Sequence, residues 1–166
     1  SRGLGDVYKR QTQHVAPTFG HLPWQPQAPR LKALVDDARD ALASGDQAAI
    51  TPALHALGNA ADALAAAPAQ IRAGSTTQAF VREADPWLTA AQLWGQSLRR
   101  SVDGVSAALA ANPQAATQQF DAAKQLAEQA TAIQSIPGAT RFAGSVKVAD
   151  GVLDSFVKDA PGLVYV

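Results

Sequence analysis

The chain has 166 residues, enough for one domain with a hydrophobic core, and 47% hydrophobic with 17% charged residues is typical of a folded protein. Its formal net charge of zero gives no electrostatic basis for binding nucleic acid. The absence of cysteine excludes disulfides, thiolate metal sites and a cysteine nucleophile. No apolar run has the length of a membrane span, so no membrane insertion is predicted.

The beginning of the chain is predicted to lie outside the fold. Residues 1–11 have no hydrophobic period, and the stretch DVYKRQ resembles the translated end of a transposase sequencing adaptor, which indicates a non-native leader; the alternative is a flexible native tail. Methionine is also absent, which favours a fragment or a mature product. Residues 12–29 contain HLPWQPQAP, and the prolines predict an extended linker.

Residues 30–158 are predicted to form a helical bundle. The first helix is expected to begin at Pro29 and to end near Ser44, before Gly45. Its apolar face consists of Leu31, Leu34, Val35, Ala38 and Leu42. Asp46 can cap the second helix, with Thr51 as an alternative cap, and Pro68 is predicted to end it. The apolar positions of this helix favour nearly antiparallel packing: Ile50, Leu54, Leu57, Ala61 and Leu64.

A long third helix is predicted from the stretch ADPWLTAAQLWGQ, after a short helical turn over residues 77–84. Asp85 has the residue type of a helix cap, and Pro86 suits the first helical position. Two tryptophans, Trp87 and Trp94, lie two helical turns apart on its apolar stripe. The full stripe consists of Trp87, Ala91, Trp94, Leu98, Val102, Val105 and Leu109.

Asn112 and Pro113 predict the start of a fourth helix that Pro137-Gly138 ends. Its buried positions are predicted to be Ala116, Phe120, Ala123, Ala127 and Ala130, flanked by Leu126 and Ile133. Asp150 is expected to cap a short last helix presenting Val152, Leu153, Phe156 and Val157, followed by a tail over residues 159–166. Only two or three residues around Val146 suggest a strand. The predicted fold is therefore all-α, an up-down bundle of about four main helices plus a short C-terminal helix.

Motifs for catalysis or metal binding are not found. The three histidines, His14, His21 and His55, do not have zinc-site or di-iron spacing, and no glycine-rich phosphate loop is present. Asp36 and Asp37 are adjacent in a helix, so they point about 100° apart and are interpreted as part of a solvated face. We predict no catalytic residues, no cofactor and no metal site in this chain.

The tryptophan pair has two interpretations. Large aromatic residues on the core stripe of a bundle most often serve packing, and the alanine-rich neighbouring helices leave room for them. A buried indole N–H also needs a partner, which suggests that one ring lies near an edge. Pro86, Trp87 and Trp94 are therefore the candidates for contact with a neighbouring domain.

The order of several stretches carries a family resemblance. DPWLTAAQLWG follows FVREA, is preceded by LAAAPAQIRAG, and is followed at the end by VKVADGVLDSFV. With the lead-in FGHLPWQPQAPRLKALVDDA, this order resembles the helical region after the catalytic barrel in bacterial β-N-acetylglucosaminidases of glycoside hydrolase family 84, often called hyaluronidase-like. The resemblance covers residues 19–157.

The resemblance implies an enzyme as the parent and a non-catalytic domain here. The family removes terminal N-acetylglucosamine with two adjacent aspartates on a barrel loop, and this chain lacks the repeated strand–helix units of a barrel. Asp36 and Asp37 are not equated with that pair, because they lie within a predicted helix. The implied partner is the catalytic barrel of the same parent chain, and the implied location of the parent is secreted or at the bacterial cell surface.

Two other functional classes are compatible with the sequence. The chain could be a free-standing helical module that binds another protein, or a bundle that holds a small ligand between its tryptophans. The ligand hypothesis needs convergent polar groups, and the apolar seam offers few. The oligomeric state is left open by the sequence.

Overall fold

The computed structural model describes residues 28–74, 78–134 and 143–164. Of these residues 96% are helical and none lies in a strand, which confirms the predicted all-α class. The five helices are α1 (Ala28–Ser44), α2 (Gln47–Gly74), α3 (Gln78–Leu109), α4 (Pro113–Gln134) and α5 (Ala143–Val164). The predicted leader over residues 1–11, residues 12–27 of the linker and the Pro137-Gly138 turn lie outside the described residues.

Helix α3 is the central element of the bundle, since it packs against α2, α4 and α5. Helix α1 packs against α2 and α5. Contacts between α2 and α3 pair Arg72 with Asp85 and Asp62 with Arg99, so α3 runs back along α2 in the opposite direction. These contacts place α2 and α3 antiparallel, as an up-down bundle requires.

The tight turns follow the local sequence signals. Gly45 has a φ of 68° and ends α1, because a residue without a Cβ adopts this left-handed conformation without strain. Asp46 then caps α2, since its Oδ1 accepts a hydrogen bond of 3.0 Å from the backbone N–H of Ala48. The Asp46 cap is therefore confirmed over the Thr51 alternative. Asn112 caps α4 in the same way, through the backbone N–H of Ala115 at 3.2 Å.

The core consists of the predicted stripes with few changes. All five positions predicted for α4, all five for α2 and six of the seven for α3 are buried. The exception is Leu109, which is 41% exposed at the last residue of α3, so its assignment to the core was wrong. In α1, Leu31, Val35 and Ala38 are buried, while Leu34 and Leu42 pack at the edge of the core.

Two prolines predicted to delimit helices lie inside them instead. Helix α2 continues past Pro68 to Gly74, and α3 begins at Gln78, before the predicted start at Asp85 and Pro86. An interior proline removes one backbone hydrogen bond and costs about 3 kcal/mol. That cost is offset here by packing against the core on both sides of each proline. Leu64 and Ala67 are buried before Pro68, and Ile71 packs against the core after it. Ala84 is buried before Pro86, and Trp87 and Leu88 are buried after it.

The last helix is longer than predicted. Helix α5 has 22 residues, so Asp150 lies within it rather than at its cap, and Val146 is helical rather than extended. Leu153, Phe156 and Val157 are buried as predicted, whereas Val152 is only partly buried. The helix also continues past the predicted boundary at residue 158, because Ala160 is fully buried and Leu163 and Val164 pack against the core.

Candidate interaction surfaces

Both tryptophans of α3 are buried within the bundle. Trp87 and Trp94 each expose 3% of their surface and belong to the hydrophobic core. Pro86, the third predicted contact residue, is half-buried. Packing inside the chain therefore uses nearly all of the indole surface, and only Pro86 of the three retains a substantial exposed area.

The helix crossing beside Trp94 depends on a glycine. A Cβ added to Gly95 would lie 2.4 Å from the backbone nitrogen of Ala65 and 2.9 Å from the carbonyl oxygen of Ala61. Such distances are far below van der Waals contact, so α2 and α3 can approach this closely only because residue 95 has no side chain. The small residues Ala61, Ala65 and Gly95 thus allow the backbones of α2 and α3 to approach closely at this level.

A polar contact braces the turn of α3 that contains Pro86 and Trp87. Arg72 near the end of α2 donates hydrogen bonds of 3.0 Å to the Asp85 carboxylate and of 3.0 Å to the Thr89 hydroxyl. The Asp85 side chain, predicted to cap a helix, binds across to α2 instead. This bond ties the two helices together on either side of Pro86.

A second ionic contact joins the same two helices nearer their middle. The guanidinium of Arg99 donates to both carboxylate oxygens of Asp62, at 2.9 and 2.6 Å, and lies 3.4 Å from Asp103. The hydrogen bond from Arg99 lowers the pKa of Asp62, and the bond to Asp62 raises the pKa of Arg99. A Cβ at Gly58 would lie 2.7 Å from this guanidinium, so the glycine leaves room for the ion pair.

The adjacent aspartates of α1 have the geometry of a solvated face. Asp36 is exposed and forms an ion pair of 2.8 Å with Lys32 one turn earlier. Asp37 is exposed and points toward a different surface, which it shares with Asp40. His55 is exposed on α2. Among the described residues, no three histidine or acidic side chains are grouped so as to hold a metal ion.

An apolar furrow lies open along the seam between α1 and α2. We name it the α1–α2 furrow. Its lower part has a volume of about 530 Å³ and is lined by Leu34, Asp37, Asp40, Ala41, Ser44, Ala49, Pro52, Ala53 and Ala56. Its upper part has a volume of about 230 Å³ and is lined by Arg30, Leu31, Asn59, Ala60 and Ala63. The positions on α2 repeat every three or four residues, so both parts lie on one stripe of that helix.

A second groove lies between the start of α2 and the end of α3. Its volume is about 420 Å³, and its apolar floor is formed by Ile50, Leu54 and Val102, with the exposed Leu109 among its lining residues. His55 and Arg99 also line it, but Arg99 is already bonded to Asp62. Neither Trp87 nor Trp94 lines this groove or the furrow.

Sequence reasoning missed the furrow, although α2 contains a signal for it. The stripe Ala49, Ala53, Ala56, Ala60 and Ala63 has helical spacing and runs beside the main seam. Together with the main seam, this stripe makes the apolar surface of α2 wider than one neighbouring helix can cover. Such a width indicates that α2 packs against more than one element. The Arg72–Asp85 and Asp62–Arg99 pairs had no sequence signal, because their partners lie on different helices.

None of the described helices combines the length and apolar character that crossing a bilayer requires. Comparison with protein-family models, curated proteins and solved structures gave no match to this chain.

Proposed function

We propose that this chain is the non-catalytic helical domain of a β-N-acetylglucosaminidase of the hyaluronidase-like glycoside hydrolase family 84. In that role it packs on the catalytic barrel of the same parent chain and supports it. The chemistry belongs to the barrel, and this domain supplies a rigid helical surface.

The observation that carries this proposal is the place of the resembling stretches in the fold. The most distinctive of them, DPWLTAAQLWG, lies within α3, the helix that packs against three others. Its two tryptophans are core residues, so the stretch specifies how the bundle is built. The stretch VKVADGVLDSFV lies within α5, which also packs on α3. The resemblance thus falls on residues that define the scaffold.

The contact with the barrel is proposed to centre on the turn that contains Pro86. This residue is half-buried, and Arg72 holds the turn in place through Asp85 and Thr89. The buried Trp87 and the Arg72–Asp85 ion pair hold this turn in one conformation. A surface that is already ordered loses little conformational entropy on docking. Trp87, the next residue along α3, is buried in the core and anchors this turn.

The first test is the reading frame upstream of Thr12 in the parent gene. The proposal predicts a barrel there, seen as repeated strand–helix units with two adjacent aspartates after a strand. An upstream frame without such repeats would contradict the proposal and leave a free-standing interaction module as the better hypothesis.

The second test is physical association. The barrel of the parent, co-expressed with this chain, should co-purify with it and melt at a higher temperature than the barrel alone, because a partner that binds only the folded state stabilises it. Pro86→Glu should weaken this association, whereas Gln125→Glu on the exposed face of α4 serves as the matched control. A barrel whose melting temperature and yield are the same with and without this chain would overturn the proposal.

Hydrolysis of an aryl N-acetylglucosaminide supplies a third test. The purified chain alone should not turn this substrate over, because glycoside hydrolysis uses carboxyl groups held on both sides of a sugar. Turnover that disappears when one carboxylate of the chain is replaced would refute the assignment of this domain as non-catalytic.

A further inference from the structure

The charged side chains of α1 fall into two groups. Three of them are paired within the chain: Lys32 lies 2.8 Å from Asp36, and Arg39 lies 3.0 Å from Asp159 of α5. The other three have no ion pair or side-chain hydrogen bond to any residue that the structure describes, and all three line the α1–α2 furrow: Arg30, Asp37 and Asp40. The unsatisfied charges of this helix are therefore confined to the furrow.

These charges flank a partly exposed leucine. Arg30, Leu34 and Asp37 are spaced by four and three residues, so they share one face of α1. Arg30 and Asp37 are exposed, and Leu34 is half-buried where it lines the lower part of the furrow. The α1 side of the furrow thus has a positive end, an apolar middle and a negative end.

The order of these three side chains is self-complementary. Arg30 lies about 6 Å before Leu34 along the helix axis, and Asp37 lies about 4.5 Å after it. If a second α1 runs antiparallel across a two-fold axis beside Leu34, Arg30 of each copy faces Asp37 of the other. Because every contact of a two-fold interface occurs twice, both unpaired cations find a carboxylate and the two leucines meet at the axis.

The other residues of the furrow are compatible with this contact. The α2 residues that line its lower part are uncharged and retain exposed surface: Ala49, Pro52, Ala53 and Ala56. The open volume there, about 530 Å³, leaves room for side chains of a second α1. Asp40, three residues after Asp37, gives Arg30 of the other copy a second carboxylate within reach.

The size of this face sets the expected strength of the contact. Helix α1 has 17 residues, so it is about 25 Å long, and two helices side by side are about 20 Å wide. The face therefore covers about 500 Å² on each copy, or about 1,000 Å² in total, which is near the lower limit for a specific interface. An interface of this size is expected to bind with micromolar or weaker affinity.

We propose that the α1–α2 furrow is the interface of a two-fold homodimer, in which α1 of each copy lies antiparallel in the furrow of the other. Arg30 pairs with Asp37 across the axis, and Leu34 packs at its centre. This proposal does not depend on the glycosidase assignment, since Pro86 does not line the furrow.

Sedimentation of the full chain over a dilution series tests the dimer. The average mass should rise from monomer to dimer through the micromolar to millimolar range. Arg30→Asp and Asp37→Arg each place like charges opposite each other at two positions, so each should weaken the dimer by about tenfold or more. Lys124→Asp and Glu128→Arg make the same changes of charge at exposed sites of α4 and should leave the dimer unchanged. A chain that stays monomeric throughout this range would overturn the proposal.

Exchange of the two charges tests the register of the dimer. The double variant Arg30→Asp/Asp37→Arg restores opposite charges across the axis, so it should dimerise as the original chain does. The two single variants, each weak alone, should associate when mixed, because one copy then carries only acidic and the other only basic side chains at these positions. Circular dichroism checks that each variant is folded. A double variant as weak as the single ones, or single variants that dimerise like the original chain, would refute this interface.

Discussion

The two sides of α2 use alanine in opposite ways. Toward α3, alanines and glycines meet large side chains or another small residue at very short distance, as at Ala61 and Gly95, and the contact is closed. Toward α1, a stripe of alanines faces other small residues such as Ala41, and the seam stays open as the furrow. A small residue thus produces close packing only where the opposite helix is free to approach or brings a bulky side chain into the space.

Helix α4 supports the same interpretation. Four of its five core positions are alanines, yet the seam with α3 is closed, because Phe120 lies against Gly104 and the Ser97 hydroxyl of α3 donates a hydrogen bond of 2.7 Å to the backbone carbonyl of Ala123. A Cβ at Gly104 would lie 2.6 Å from Cδ1 of Phe120. The interface between α3 and α4 therefore combines a large side chain opposite a glycine with a close contact between two small residues.

The largest loss of stability is expected from removing a bulky side chain of α3 that is buried in the core. Trp94→Ala should lower the free energy of unfolding by about 3–5 kcal/mol, since removing a buried indole leaves a cavity in the core that the surrounding helices fill only in part. Leu109→Ala, on the same stripe but 41% exposed, should change it by less than about 1 kcal/mol. Urea denaturation measures both. Equal losses of unfolding free energy for the two variants would mean that the core around α3 does not depend on its buried large side chains.

Truncations further along the same stripe should be smaller. Leu98→Ala is expected to cost about 2–4 kcal/mol and Val105→Ala about 1–3 kcal/mol, because both side chains are fully buried and Leu98 loses more volume. Asp36→Ala and Asp37→Ala on the exposed face of α1 should each cost less than about 1 kcal/mol. Chemical denaturation that ranked an aspartate change above either core change would contradict the assignment of helix faces.

Two glycine-to-alanine substitutions distinguish the effect of close helix packing on stability from the effect of helix propensity. Gly95→Ala should destabilise the bundle by about 1–3 kcal/mol, since the new methyl group meets the α2 backbone, which cannot move aside without separating the helices. Gly151→Ala in α5 is the control, because a Cβ there meets nothing within 4 Å. It should stabilise by about 0.5–1 kcal/mol through helix propensity alone. Thermal melts that shift in the same direction for both would contradict the close crossing of α2 and α3.

The smallest effect concerns the ion pair between Asp62 and Arg99. Because Arg99 holds the pKa of Asp62 below its ordinary value of 3.8, the pair stabilises the fold above that value, and the stabilisation is lost as pH falls through the lowered pKa. Both side chains are partly exposed, so Asp62→Asn should cost no more than about 1 kcal/mol at neutral pH. Urea denaturation of the two proteins at neutral and acidic pH measures this difference. A difference that grows on acidification would contradict the direction of the pKa shift.

The helical stripes could be predicted because they depend on local spacing. Apolar residues that recur every three or four positions must share a face once a helix forms, whatever lies opposite. This is why the α4 positions from Ala116 to Ala130 and most of the α3 stripe were assigned correctly. The caps at Asp46 and Asn112 were predictable for the same reason, since each bonds a backbone N–H within three residues of itself.

Helix ends at prolines and the role of the tryptophans were decided by tertiary structure. A proline's local cost is the same in any helix, but whether the helix continues depends on how much apolar surface is buried on both sides, as around Pro68, Pro86 and Pro161. The sequence likewise placed Trp87 and Trp94 on one stripe but could not assign them to core or contact surface. That assignment depends on which neighbours close over the stripe, and burial is a property of the assembled helices.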